Sequence, residues 1–107
     1  MKTHKLSEMY RGWFIGDFEP SILRTEQFEV GYLSHAKGEN WPTHFHLKHA
    51  EFNLLVSGQM KIQGKNLFSG DIFILQPGEI SDPEFITDCQ IVCVKFPSVP
   101  GDKYEVF

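Results

Sequence analysis

From Gly38 to Gly58 the chain reads GENWPTHFHLKHAEFNLLVSG, and the reading of this stretch decides the fold. His44 and His46 flank a single residue, Phe45, and Glu51 follows after Leu47, Lys48, His49 and Ala50. Imidazole nitrogen and carboxylate oxygen together suit divalent Fe, Mn, Zn, Ni or Cu, and no cysteine falls within the cluster. On a strand, residues two apart share a face, so His44 and His46 project the same way with Phe45 opposite. A turn over Leu47 to Ala50 then brings Glu51 round to face both imidazoles, and the glycines at either end permit tight reversals. A helix over Thr43–Ser57, opened by Pro42 and closed by Gly58, is the competing reading. Phe52, Leu54 and Val56 alternate with Asn53 and Ser57, and short β-like runs lie on both sides, so the strand reading is preferred.

Those neighbouring runs are rich in Val, Ile and Phe and are separated by glycine or proline, an all-β pattern. Trp13-Phe14-Ile15 lies between Gly12 and Gly16. Gln27 to His35 alternates, with Phe28, Val30 and Tyr32 on one side. Glu51–Ser57 and Gln59–Gln63 are expected to form a hairpin about Gly58, with Gly64-Lys65-Asn66 as the next turn. Ile72–Leu75 follows Gly70-Asp71 and stops at Pro77-Gly78, and a long last strand runs from Cys89 to Phe96. The tail from Ser98 is expected to wrap the surface or reach a partner subunit.

At these residues the sequence resembles the cupin family. The first cupin motif is Gly, five residues, His, one residue, His, three or four residues, Glu, six residues, Gly; Gly38, His44, His46, Glu51 and Gly58 match each anchor. The second motif begins Gly-Asp and passes through an apolar strand to a Pro-Gly turn and a further ligand histidine. Gly70 to Gly78 fits it, with Gln76 in place of a proline. The resemblance covers about residues 27–96 and implies a double-stranded β-helix, or jelly-roll barrel, filling one domain over residues 1–107. It also implies a metal held by His44, His46 and Glu51. The family's fourth histidine position falls on Ser81, so Asp82 beside it is the candidate fourth, oxygen ligand.

A chain of 107 residues has room for one core. A net charge of -4 with no Lys/Arg block argues against nucleic acid. No apolar run approaches bilayer length, and Met1 to Leu6 is too polar for a secretory signal, so a cytoplasmic protein is expected. Cys89 and Cys93 lie four apart on the last strand, roughly 13 Å, too far for a disulfide; buried, reduced thiols are expected. His49 is expected to be exposed in the turn. Tyr32, His35, Trp41, Asn53 and Ser81 are candidate pocket residues, Asn53 because it shares the face of Glu51. Phe45, Phe52, Phe68, Phe73, Phe85 and Phe96 are assigned to the core by default, and the family implies a homodimer that covers any surplus apolar face.

The function expected is binding of a divalent transition metal together with a small polar organic ligand or substrate. Two alternatives stand beside it. One is a non-enzymatic module, metal-free if need be, that binds a sugar or small acid. The other is a sugar isomerase or epimerase with a cavity histidine as base and Tyr32 as the central proton donor.

Overall fold

The structure is a computed structural model, and it describes residues 1–106. Ten strands follow a single 3₁₀ turn at Leu6–Glu8. They are β1 (Trp13–Ile15), β2 (Glu29–His35), β3 (His44–Phe45), β4 (Ala50–Ser57), β5 (Gln59–Ile62), β6 (Lys65–Phe68), β7 (Ile72–Leu75), β8 (Glu84–Phe85), β9 (Cys89–Phe96) and β10 (Tyr104–Glu105). One sheet has the order β1-β2-β9-β4-β7, a second β6-β5-β8, and a short ribbon pairs β10 with β3. The named strand pairs are all antiparallel. Among the described residues no helix is long and apolar enough to cross a membrane.

Alternation sorts the five-stranded sheet into two unlike faces. Register places Glu29, Lys95, Glu51 and Leu75 in one row and Gly31, Cys93, Asn53 and Phe73 in the next. These rows face the smaller sheet, whose Met60, Ile62, Leu67 and Phe85 are buried and join Leu55, Leu75, Cys89 and Ile91 in the core. The opposite face carries the rows Val30–Val94–Phe52–Ile74 and Tyr32–Val92–Leu54–Ile72. Phe52 is 43% exposed and Ile72 is 73% exposed. The side of β2 that carries Val30 and Tyr32 is therefore the outer one. Of the six phenylalanines assigned to the core, only Phe85 is fully buried; Phe52, Phe68 and Phe96 are exposed because they fall on outward positions.

The expected hairpin between Glu51–Ser57 and Gln59–Gln63 does not form. β4 pairs with β7 and β9, whereas β5 pairs with β6 and β8. Gly58 carries the chain from one sheet to the other at a φ of 100°. The real hairpin is β5–β6, reversed at Gln63-Gly64, where both residues have positive φ (49° and 74°). Such a pair of left-handed residues gives a two-residue turn whose twist matches its strands. Cys89 and Cys93 are buried and free, as expected.

Candidate metal centre and cavity

A cavity of about 400 Å³ opens between the two sheets, and its wall includes His44, His46 and Glu51. β3 and the residue that follows it place the His44 and His46 rings side by side, centroids 5.0 Å apart, and turn Phe45 away to stack on Tyr104 at 5.5 Å. Each imidazole has its tautomer set by a carbonyl. His44 Nδ1–H donates to Pro42 O at 2.9 Å, and His46 Nδ1–H donates to Asp102 O. A carbonyl only accepts, so Nδ1 carries the proton in both rings and Nε2 keeps its lone pair. His46 Nε2 lies 3.6 Å from Glu51 Oε1, too far for a hydrogen bond.

His49 is the departure from expectation. It is 1% exposed, and its ring lies 4.2 Å from that of His46, centroid to centroid. The turn is pulled inward by Asp102, which arrives from the chain's far end. Its carboxylate accepts the backbone N–H groups of Leu47 (3.0 Å), Lys48 (2.8 Å) and His49 (3.1 Å). His49 Nδ1 also approaches Asp102 Oδ2 at 3.3 Å, but off the hydrogen-bond direction, so that contact is electrostatic only. Donor atoms of His46, His49 and Glu51 all lie within 4.8 Å of one another. His44 stands beside this trio rather than inside it.

Three buried nitrogens, His46 Nε2 and both ring nitrogens of His49, have no hydrogen-bond partner among the described residues. Leaving such atoms unpaired costs about 1–3 kcal/mol each. A cation shared with Glu51 satisfies the lone pairs, so the donor set fits a divalent metal. The imidazoles of His44 and His49 are also held toward the neutral form, the one that coordinates. Burial lowers the pKa of His44 despite its bond to Pro42 O, and burial, Lys95 and His46 push His49 down to about 4 against the pull of Asp102. Burial and Glu51 push the Cys93 thiol up, so it stays protonated beside the carboxylate.

The other sequence candidates divide. Ser81 is buried, lines the cavity and exchanges two backbone hydrogen bonds with His44 (3.0 and 2.7 Å), so the family's fourth position does reach the site. Asp82 does not reach it; alternation turns it outward, where Oδ1 accepts the Gln63 N–H at 2.7 Å. His35, Trp41 and Asn53 line the cavity, and Asn53 Nδ2 is buried without a partner. Glu39 Oε2 accepts both Trp41 Nε1–H and His35 Nδ1–H at 2.5 Å, and His35 stacks on Phe85 at 4.3 Å. Tyr32 lies outside the cavity, its hydroxyl bonded to the Gln90 side chain on the outer face. Tyr10 is the tyrosine at the cavity wall. Sequence reasoning missed Asp102, because nothing in Pro100-Gly101-Asp102 ties it to a turn over fifty residues away; for His49 the available signal was a third histidine inside the motif.

No family model matches the chain, and no curated protein is detectably similar. Solved structures do match. A double-stranded β-helix protein from Klebsiella pneumoniae superposes with a TM-score of 0.69 at 22% identity, covering 79% of this chain and 75% of that one. An RmlC-like cupin from Shewanella frigidimarina gives 0.59 at 17% identity, with 71% of each chain covered. The chain is a small cupin-fold protein. The polyketide cyclase RemF from Streptomyces resistomycificus also shares the fold, with a TM-score of 0.67 at 19% identity over 78% of this chain and 63% of that one. At these identities the likeness concerns the fold alone, and the chemistry of this chain rests on its own residues.

Proposed function

We propose that this cupin holds one divalent transition-metal ion through His46, His49 and Glu51, with His44 alongside, and that a small polar organic molecule in the cavity is its ligand or substrate. The observation that carries the reading is the set of buried, unpartnered imidazole nitrogens within 4.8 Å of one another and of Glu51. A metal bound there acts as a Lewis acid toward a carbonyl, hydroxyl or carboxylate. The chain's own part is orientation: Pro42 O and Asp102 O fix the rings, and the apolar wall limits water. Elemental analysis tests it, on protein purified without chelator or metal-affinity resin. About one equivalent of metal is expected in the parent protein, lost in His46→Ala, His49→Ala and Glu51→Gln. Equal trace metal in all four overturns the reading, and His44→Ala reports whether the third imidazole also binds.

A metal-free binding module is the second reading, and one contact favours it. Lys95 Nζ lies 3.8 Å from Glu51 Oε1, so an ammonium partly compensates the carboxylate that a cation would otherwise neutralise. The isomerase reading loses the donor expected for it, because Tyr32 is outside the cavity and Tyr10 lines it instead. We also infer that the outer apolar face is covered by a second copy of this chain, since its two rows carry no charge and an antiparallel sheet face is complementary to itself. Two buried, unpaired thiols suit a reducing compartment, which supports the cytoplasm as the location.

A further inference from the structure

The cavity carries more positive charge than the metal centre needs. Arg11, Lys95 and Lys103 line it against only two carboxylates, and both of those are engaged: Glu39 by Trp41 and His35, Glu51 by the imidazole cluster. The two ammonium groups are held on the two indoles. Lys95 Nζ sits 4.7 Å from the Trp13 ring centroid, and Lys103 Nζ sits 4.2 Å from that of Trp41. Trp13 is itself fixed, because it lies over Gly31, where an added Cβ would come within 2.7 Å of its ring. Trp41 is fixed by its N–H bond to Glu39.

Both ammonium groups lack a hydrogen-bonded carboxylate among the described residues. The nearest to Lys95 is Glu51 at 3.8 Å, and none lies within 4.0 Å of Lys103. Partial desolvation, and then Lys95, lower the pKa of Lys103, so its charge is held there at some cost. Protein ammonium donors without an acceptor, stiffened by aromatic faces, are arranged for an anion supplied from outside. Away from the charged and polar groups the wall is apolar, with Met60, Ile62, Phe73, Leu75 and Ile91. The Arg11 guanidinium lies over the Tyr10 ring, 5.5 Å from its centroid, and the two remaining cations, single-point ammonium groups, suit a monocarboxylate better than a phosphate, which takes more donors.

We infer that the cavity takes a small organic monocarboxylic acid, its carboxylate between Lys95 and Lys103 and its apolar body between Met60 and Ile62 of the smaller sheet and Phe73, Leu75 and Ile91 of the larger. The inference rests on the ligand half of the proposed function and names the class of molecule concerned. The chain's only tryptophans, Trp13 and Trp41, both line the cavity, so indole emission reads its occupancy directly.

The experiment titrates benzoate, phenylacetate and hexanoate, and in parallel their neutral amides, against metal-loaded and chelator-treated protein. Inorganic phosphate forms a separate arm. At least one acid is expected to shift the emission at submillimolar concentration, with its amide weaker by about tenfold or more, the worth of one charge-assisted hydrogen bond. Lys95→Met and Lys103→Met should each close most of that gap, while Lys103→Arg, which keeps the charge, preserves it and guards against a folding artefact. Equal affinity for acid and amide, no response to any acid, or a response to phosphate alone overturns the inference. Metal content is measured on the same samples. Stoichiometric metal without acid preference refutes this inference and spares the metal reading; lysine-dependent acid preference in a protein that never takes metal does the reverse.

Discussion

Asp102 is the side chain on which the metal centre most depends without touching the ion. One carboxylate accepts three successive backbone N–H groups of the turn between His46 and Glu51, and the carbonyl of the same residue holds His46. Burial raises its pKa, but the three N–H bonds and His49 outweigh this and hold it below the usual carboxylate range, so the acceptor stays charged. Asp102→Ala leaves those donors without an acceptor and removes the carboxylate packed beside His49. A loss of about 3 kcal/mol in unfolding free energy is expected, measured by urea denaturation of metal-free protein. Metal affinity should fall about tenfold or more, because the groups that orient ligands are lost while the ligands remain. Asp102→Asn, which keeps one acceptor oxygen, should lie between. Unchanged metal affinity in the alanine variant would mean that the turn holds His49 in place unaided.

At the scale of the strands, the spacing that was legible in the sequence is the spacing that repeats. Alternation put His44 and His46 on one face and Asn53 beside Glu51, and both placements hold because a strand has no other way to arrange residues two apart. The pairing partners were not legible. Gly58 looked like the apex of a hairpin, yet it carries the chain between sheets, since a left-handed glycine serves a crossing as readily as a turn. Which side of β2 faces inward was equally hidden: Phe28, Val30 and Tyr32 form the more apolar side, but the inward one carries Glu29, Gly31, Leu33 and His35 because it serves a site rather than a core. Gly58 is also a close contact. A Cβ there would lie 2.2 Å from Asp88 O and 2.9 Å from Cys89 Sγ. Gly58→Ala should therefore cost at least about 2 kcal/mol from strain and overlap together, seen as a lowered thermal midpoint. A neutral result would show that the crossing can relax away from Asp88.

At the scale of the whole molecule, one sheet face is apolar and exposed in the single chain. Phe52, Leu54, Ile72 and Ile74 stand exposed on an antiparallel sheet whose register aligns them into continuous rows. Light scattering should give twice the 12.4 kDa of one chain. Leu54→Lys combined with Ile72→Lys should give the single-chain mass with the cavity intact, because both side chains point away from it. A parent protein that runs as a monomer at every concentration would leave the face uncovered. The segment from Ser98 to Glu105 is tied back onto the site: Ser98 Oγ–H donates to Glu29 at 2.8 Å, Asp102 accepts from the turn after His46, and the two residues of β10 pair with β3. So short a ribbon opens more readily than the five-stranded sheet. A captured ion would then escape at a pace set by the fraying of this ribbon, long before the larger sheet melts, and replacing Tyr104 and Glu105 by glycine would turn a slow leak into a fast one.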